Sequence, residues 1–235
     1  MYRIKPVIGE IYHIYNRGIE QRNIFLDDDD RLRFIHDLFE FNDENPTINL
    51  AYHFGQKQSK EVGLPKIERV PRKLLIDLLI FCLMPNHFHL MIKQQKEGGI
   101  TAFMRKLGTG YTNYFNKKYN RVGHLLQGKY KIVHANQESH FIHLPYYIHL
   151  NPLDADFPEW RERKIKNYKK AMKFIENYRW SSFQDYIGIK NFPSVTQREF
   201  LLKFFEGPAQ YKKDVANWLK NIDPEEIKSL GSRTS

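Results

Sequence analysis

The chain has 235 residues, 41% of them hydrophobic, and a formal net charge of +10, enough apolar material for one substantial core. No stretch approaches the roughly 18 apolar residues a membrane span needs, and the opening MYRIKPVIGEIYHIYNRG has no apolar run followed by a small-residue cleavage site, so a cytoplasmic protein is expected. The single cysteine, Cys82, excludes an intramolecular disulfide and a cysteine-cluster zinc site, and the basic balance points to a polyanionic partner.

Taken in chain order, residues 9–17 (GEIYHIYNR) predict a first strand, with Ile11, His13 and Tyr15 on one face and Tyr12 and Asn16 on the other. The run Asp27–Asp30 then stands where a helix N-terminus favours acids, and Leu32, Ile35, Leu38 and Phe39 follow at helical spacing. Helix capping explains these four aspartates better than metal binding does. Residues 46–72 have no clear period and carry Pro65 and Pro71, so a loop or insertion is expected there. Leu74–Met84 is almost continuously apolar and predicts a buried strand, with Cys82 as a core residue; Pro85-Asn86 is a turn signal, and His87–Gln94 predicts a second strand paired with the first. After Gly98-Gly99, the residues Ile100, Phe103, Met104, Leu107, Tyr111 and Phe115 recur at helical spacing despite Gly108 and Gly110, and residues 128–135 predict another strand.

The order strand, helix, strand, strand, helix, strand predicts an α+β, ferredoxin-like antiparallel sheet with two helices packed on it. A helical segment is expected over His140–Asn151, interrupted by Pro145, which suits the first turn of a short helix carrying Tyr147 and Asn151, where a missing N–H is harmless. The division expected is a first domain over residues 1–152, carrying the insertion, and a basic, mostly helical extension over 153–235 ending in an exposed tail, GSRTS.

Residues 101–136 contain seven Lys/Arg and no Asp/Glu, with six Phe/Tyr interleaved. Cations neutralise phosphates and aromatic rings stack on unpaired bases. Arg105, Lys106, Lys117, Lys118, Arg121, Lys129 and Lys131 are therefore the candidate DNA contacts; the competing reading makes the aromatics core and the cations a solvated face.

His87 and His89 are one residue apart on a predicted strand, so both imidazoles share a face while Phe88 points into packing. Paired imidazoles are a start toward a divalent-metal site, although His-x-His also occurs by chance. Tyr147 and Asn151 are four residues apart, which on a helix puts phenol and amide on one face. An amide oxygen can be a metal ligand, and a phenol near that metal can attack phosphorus. Periodicity alone does not distinguish this from an ordinary buried tyrosine.

The segments MPNHFHLMI, YTNYFNKKYNRVGHLLQGKYK, YYIHLNP and YRWSSFQDYIG, with the opening IYHIYNRGIEQRNIF, run in order from about residue 9 to 188. Together they resemble the single-tyrosine HUH transposases, above all the REP-associated tyrosine transposases and their insertion-sequence relatives. The resemblance implies that His87, His89 and Asn151 hold Mg²⁺ or Mn²⁺. It implies that Tyr147 attacks single-stranded or hairpin DNA, leaving a 5′-phosphotyrosine and a free 3′-OH. The implied role is DNA transposition or recombination, by a nucleoid-associated protein of a bacterium or archaeon acting as monomer or homodimer. The resemblance makes residues 1–152 the catalytic domain and this helix its catalytic helix, on which Tyr146 would point about 100° away from Tyr147, off the face carrying Asn151. Tyr111, Tyr114 and Tyr119 are expected in the core or facing DNA. Two features depart from the family pattern: Pro145, and NPLDADF, which is less basic than the usual continuation. Two other classes stay open: a catalytically silent, repressor-like DNA binder, and an RNA-binding ferredoxin-like domain, which would display stacking aromatics on its central strands.

Overall fold

A computed structural model of the chain describes residues 4–46, 71–221 and 223–231. The expected loop or insertion over 46–72 and the tail GSRTS fall largely outside them. The first strand, β1 (Ile11–Arg17), leads to helix α1 (Asp28–Glu40). The Asp27 side chain accepts the Asp30 N–H and caps α1, which is the capping expected of the aspartate run. Strands β2 (Ile76–Met84) and β3 (His87–Gln94) form an antiparallel hairpin about Pro85-Asn86. Helix α2 (Gly99–Lys118) and strand β4 (Lys131–His134) complete the βαββαβ unit. The sheet order is β2-β3-β1-β4, antiparallel throughout, as a ferredoxin-like arrangement requires.

The two glycines inside the pattern of α2 do not break it. At Gly110 the missing Cβ makes room for the Phe41 ring at the end of α1; a Cβ there would lie 2.4 Å from it. The glycine thus exchanges some helix propensity for a close helix–helix approach.

Strand alternation sends Tyr12, Ile14, Phe81, Leu83, Phe88, Leu90 and Ile92 to one face, where they pack with Phe34, Leu38, Phe103, Leu107 and Tyr111 of α1 and α2. The other face carries Ile11, Ile80, Cys82, Met84 and Met91, and it is covered as well. A register shift between Leu78 and Ile80 lets Leu79 join Ile80 on that second face. The covering layer begins with helix α3 (Glu138–Leu150) and continues through the short helix α4 (Leu153–Asp156), α5 (Tyr168–Asn177), α6 (Phe183–Tyr186), α7 (Glu199–Phe204), α8 (Pro208–Asn221) and α9 (Pro224–Gly231). Leu153, Trp160, Ile175, Phe183, Val215 and Leu230 share one apolar cluster with the sheet. Among the described residues, no helix is long and apolar enough to cross a membrane.

The segment YRWSSFQDYIG closes the outer edge of the sheet. Leu83 N–H donates to Trp180 O at 2.9 Å and Ser182 N–H to Phe81 O at 3.0 Å, while the hydroxyls of Tyr178 and Tyr186 donate to Leu83 O and Leu79 O at 2.6 and 2.8 Å. Strand β2 therefore offers no free ladder to a second chain along this stretch. His149, fully buried on α3, bonds Tyr211 of α8 through Nδ1 at 2.6 Å and Ser182 through Nε2 at 2.8 Å. One imidazole thus ties the helical layer to the edge segment.

Pro145 is not at the first turn of its helix. Helix α3 starts at Glu138, two residues before the expected segment, and runs unbroken with Pro145 in its interior. The apolar residues Phe141, Ile142 and Leu144 pack into the helical layer and extend the helix across the proline, an instance of tertiary burial outweighing local propensity.

Candidate active site

β3 delivers His87 and His89 to the helix-covered face beside the hairpin turn. The register pairs Tyr15 with His89, Arg17 with His87 and His13 with Met91. Partners across an antiparallel pair share a face, so His13, Tyr15, His87 and His89 converge. The His87 and His89 ring centroids are 5.0 Å apart, and those of His13 and His89 5.1 Å.

Hydrogen bonding fixes how these rings present themselves. His89 Nδ1 lies 2.9 Å from His13 Nε2, and His87 Nδ1 lies 2.7 Å from the Asn86 side-chain oxygen. Asn86 Oδ1 can only accept, so His87 Nδ1 carries the proton and Nε2 keeps a lone pair. His89 Nε2 is buried without a hydrogen-bond partner. A proton there would leave a buried donor unmet, so the fitting tautomer again has Nδ1–H donating, here to His13, with the lone pair on Nε2. Burial also keeps the rings neutral: it lowers His87 to about 4 and His13 to about 3, and it takes His89 well below the usual histidine range. Neutral imidazoles with bare Nε2 atoms and held Nδ1 protons are the form in which histidine ligates a metal.

Helix α3 lays Tyr147 over this pair. Its ring centroid is 6.0 Å from that of His89 and 6.2 Å from that of His13, edge-on to both. Asn151 caps the helix and donates Nδ2–H to Tyr147 O at 2.7 Å. His87, His89, Tyr147 and Asn151 all line one cavity of about 360 Å³. Tyr146 points elsewhere, toward Phe205, Tyr211 and Trp218 in the helical layer. The amide of Asn151 is already engaged: Oδ1 accepts from Arg161 Nη2 at 3.1 Å. Among the described residues, no group of three or more His, Cys, Asp or Glu side chains gathers as a metal site. The donor set that fits a cation is therefore the two Nε2 atoms, and any further ligand must come from an amide, water or the substrate.

Several residues of the cavity went unseen in the sequence. Asn16, Gln21, Gln127, Asp154 and Arg161 line it. His13 could be placed on the correct face by alternation, but only the β1–β3 register shows that it reaches His89. Arg161 carried no signal, because it approaches from a 3₁₀ turn (Pro158–Glu162) ten residues beyond Asn151.

The seven basic residues of the acid-free stretch separate into groups. Lys131 lines the cavity itself. Arg105 and Lys129 line an adjoining groove of about 660 Å³ between α2 and the loop before β4, which shares Asn16 with the cavity. Lys117 is exposed near the end of α2. Lys106 donates to the backbone carbonyls of Asp43 and Asn45, and Arg121 donates to Asn116 Oδ1 at 3.1 Å. Lys118 is held by Asp27 and Asp30 at 2.8 Å each. Tyr114 and Tyr119 donate to the Asp30 carboxylate, and Tyr111 to Ile24 O, so these three tyrosines serve the packing of α1 against α2. The acids missing from this stretch are supplied by the first turn of α1.

A histidine pair on a central strand of a four-stranded antiparallel sheet, faced by a tyrosine from a covering helix, is the arrangement that the resemblance to single-tyrosine transposases leads one to expect. The sequence agrees: residues 53–151 match the family model described as "Transposase IS200 like". That stretch contains His87, His89, Tyr147 and Asn151. Comparison with curated proteins gives no match. Among solved structures, that of a REP-associated tyrosine transposase bound to a REP hairpin is similar in fold, with a TM-score of 0.50 at 12% identity over 82% of this chain and 88% of that one.

Proposed function

We propose that this protein is a metal-dependent tyrosine transposase that cleaves and rejoins single-stranded or hairpin DNA through a 5′-phosphotyrosine. The observation that carries this reading is His89 Nε2, buried without a partner on a residue that lines the same cavity as Tyr147. A purely DNA-binding protein would have no use for a ligating nitrogen so placed beside a phenol.

His87 and His89 would hold Mg²⁺ or Mn²⁺, with Asn151 joining them by exchanging its bond to Arg161. When bound, the cation supplies charge that polarises a phosphate oxygen and orients the scissile bond. The chain does the rest. His13 and Asn86 hold the imidazoles in the ligating tautomer, and α3 fixes the phenol above them. Tyr147 Oη forms a bond to phosphorus, the P–O3′ bond breaks, and storing the link as a phosphotyrosine lets the strand be rejoined. The substrate class is supported by the match of residues 53–151 to the IS200-like transposase model and by the cationic groove that continues from the cavity past Asn16, where Arg105 and Lys129 would follow a phosphate backbone. The similar solved protein has a REP hairpin bound, which makes hairpin DNA the first substrate to try.

Incubation with end-labelled hairpin DNA and Mn²⁺, followed by a denaturing gel, tests this. A slow-migrating covalent band should form with the wild-type chain and with Tyr146→Phe, and vanish with Tyr147→Phe. Loss of His87 or His89 should abolish the band with hairpin binding largely kept. Retention of DNA by the wild type without any covalent band would instead establish a silent DNA binder.

A further inference from the structure

We propose that Arg161 is a catalytic residue of this reaction, placed to hold the non-bridging oxygens of the scissile phosphate while Tyr147 attacks, with Asp154 as its positioning residue. The inference rests on the strand-cleavage reading above.

Three cationic side chains line the cavity: Arg17, Lys131 and Arg161. Arg161 is the one beside the phenol, its guanidinium carbon 5.2 Å from the Tyr147 ring centroid and 4.7 Å from that of Trp160. It is held by a fork rather than a single contact. Nε donates to Asp154 Oδ1 at 2.8 Å and Nη2 to Oδ2 at 2.7 Å, while Trp160 Nε1 donates to the same carboxylate at 2.7 Å. The other Nη2 proton goes to Asn151 Oδ1 at 3.1 Å.

A guanidinium has five N–H donors in a fixed plane. Three are spent on Asp154 and Asn151, which leaves the Nη1 pair for Tyr147 and the cavity. If Asn151 turns away, the freed Nη2 proton joins that pair. Burial works against the charge on Arg161, but Asp154 and the Tyr147 phenol outweigh it, so the group stays cationic. A planar cation fixed from behind, with its remaining donors on the side of Tyr147 and the cavity, suits recognition of a phosphate arriving beside the phenol. Its rigidity matters because donors already in place cost no reorganisation as charge develops. Arg161 is also about a third exposed, which a merely structural Arg–Asp pair in this apolar layer would not require.

In the step itself the Tyr147 Oη–P bond forms and the P–O3′ bond breaks. The phenol proton leaves to solvent and the departing 3′ oxygen takes one up from solvent, so no net proton is consumed. The charge that spreads over the phosphoryl oxygens as both bonds are partly made is what Arg161 would meet.

The test measures single-turnover adduct formation on hairpin DNA alongside the hairpin Kd, for the wild type, Arg161→Ala, Arg161→Met, Arg161→Lys and Asp154→Asn. Arg161→Ala and Arg161→Met should slow the adduct about 100-fold with Kd changed less than about threefold, the size of loss expected for one preorganised donor. Free guanidinium ion should restore Arg161→Ala by about tenfold or more and leave the wild type unchanged. Arg161→Lys should recover only in part, because an ammonium cannot fork. Asp154→Asn should fall between. Should Arg161→Ala fail to fold, Arg161→Met and Arg161→Lys keep the stem over Trp160 and carry the same comparison. An adduct from the wild type matched within about threefold by the Arg161 variants would overturn the assignment, as would loss of rate with an equal loss of hairpin affinity and no guanidinium rescue. No adduct even from the wild type would overturn the underlying reading instead.

Discussion

Replacing His13 by alanine separates the support of the histidine pair from the pair itself. His13 Nε2 is the acceptor for His89 Nδ1–H, at 2.9 Å and fully buried. Without it that N–H has no partner, a cost of about 1–3 kcal/mol for a buried unmet donor. The ring can relieve this by moving its proton to Nε2, which removes the lone pair that would ligate a cation. Either route weakens metal binding, and loss of such a supporting partner typically costs about 10–100-fold in affinity. That corresponds to about 1.4–2.7 kcal/mol, close to the cost estimated from the unmet donor. Mn²⁺ titration followed by electron paramagnetic resonance on the wild type, His13→Ala and His13→Gln gives the answer directly. Glutamine offers a carbonyl acceptor, so His13→Gln should bind Mn²⁺ more tightly than His13→Ala. Equal affinity in all three chains would refute the reasoning, because it would mean that His89 does not depend on His13 for its tautomer.

Lys118→Ala should lower stability by about 1–3 kcal/mol, since it leaves the Asp30 carboxylate, fully buried, without its cation, and should leave the salt dependence of hairpin binding unchanged. The pair Arg105→Ala and Lys129→Ala should do the reverse, reducing the slope of log K against log salt by about 2 with little change in melting temperature; a fall in the slope for Lys118→Ala would reverse these roles. His149 is held near pKa 3 by burial, against about 6.5 when unfolded, so the unfolded chain binds the extra proton as pH falls through that window. Its contribution is complete above pH 6.5 and is lost on acidification, by about 2 kcal/mol at pH 5; His13, His87 and His89 lose stability with the same sign, so chemical denaturation should show a fall of at least this size between pH 7.5 and pH 5. A flat profile would contradict a neutral buried His149. Pro145→Ala restores an N–H for Phe141 O inside α3, worth about 3 kcal/mol in a helix interior less up to about 1 for the freer unfolded chain, so the net gain should be about 2 kcal/mol and the melting temperature should rise by several degrees. An unchanged or lower melting temperature would show that α3 has adapted fully to the proline.

The sheet and the inner pair of helices were readable because each carries a strong period and the signals agree: the apolar run to Met84, the turn at Pro85-Asn86, the alternation after His87, the heptad-like spacing from Ile100 to Phe115. The histidine spacing could be read for the same reason, since alternation alone puts both rings on one face. What could not be read depended on register or on distant chain. Nothing local tells that Tyr15 rather than Asn16 lies beside His89, or that Lys118 would be claimed by Asp27, some ninety residues earlier. The acid-free basic stretch looked like an open DNA track because its balancing carboxylates lie on another helix. Pro145 misled for a related reason. A local rule places proline at a helix start, but the packing of Phe141 and Leu144 carries α3 through it.

The same distinction bears on where the chemistry of the site comes from. The IS200-like match ends at residue 151 and contains the histidines, the tyrosine and the amide. It contains Asn86, which holds His87, but not all that surrounds them. The imidazoles are neutral because they are dry, and the dryness is completed by segments after that point: Trp160 against Tyr147, and Asp154 and Arg161 along the cavity. With the sheet and α3 alone, His87 and His89 would face water and return toward the ordinary histidine pKa, where a proton competes with a metal for each Nε2. The helices beyond Asn151 therefore act on the site through desolvation as much as through contact, which is why they share a core with the sheet instead of hanging from it.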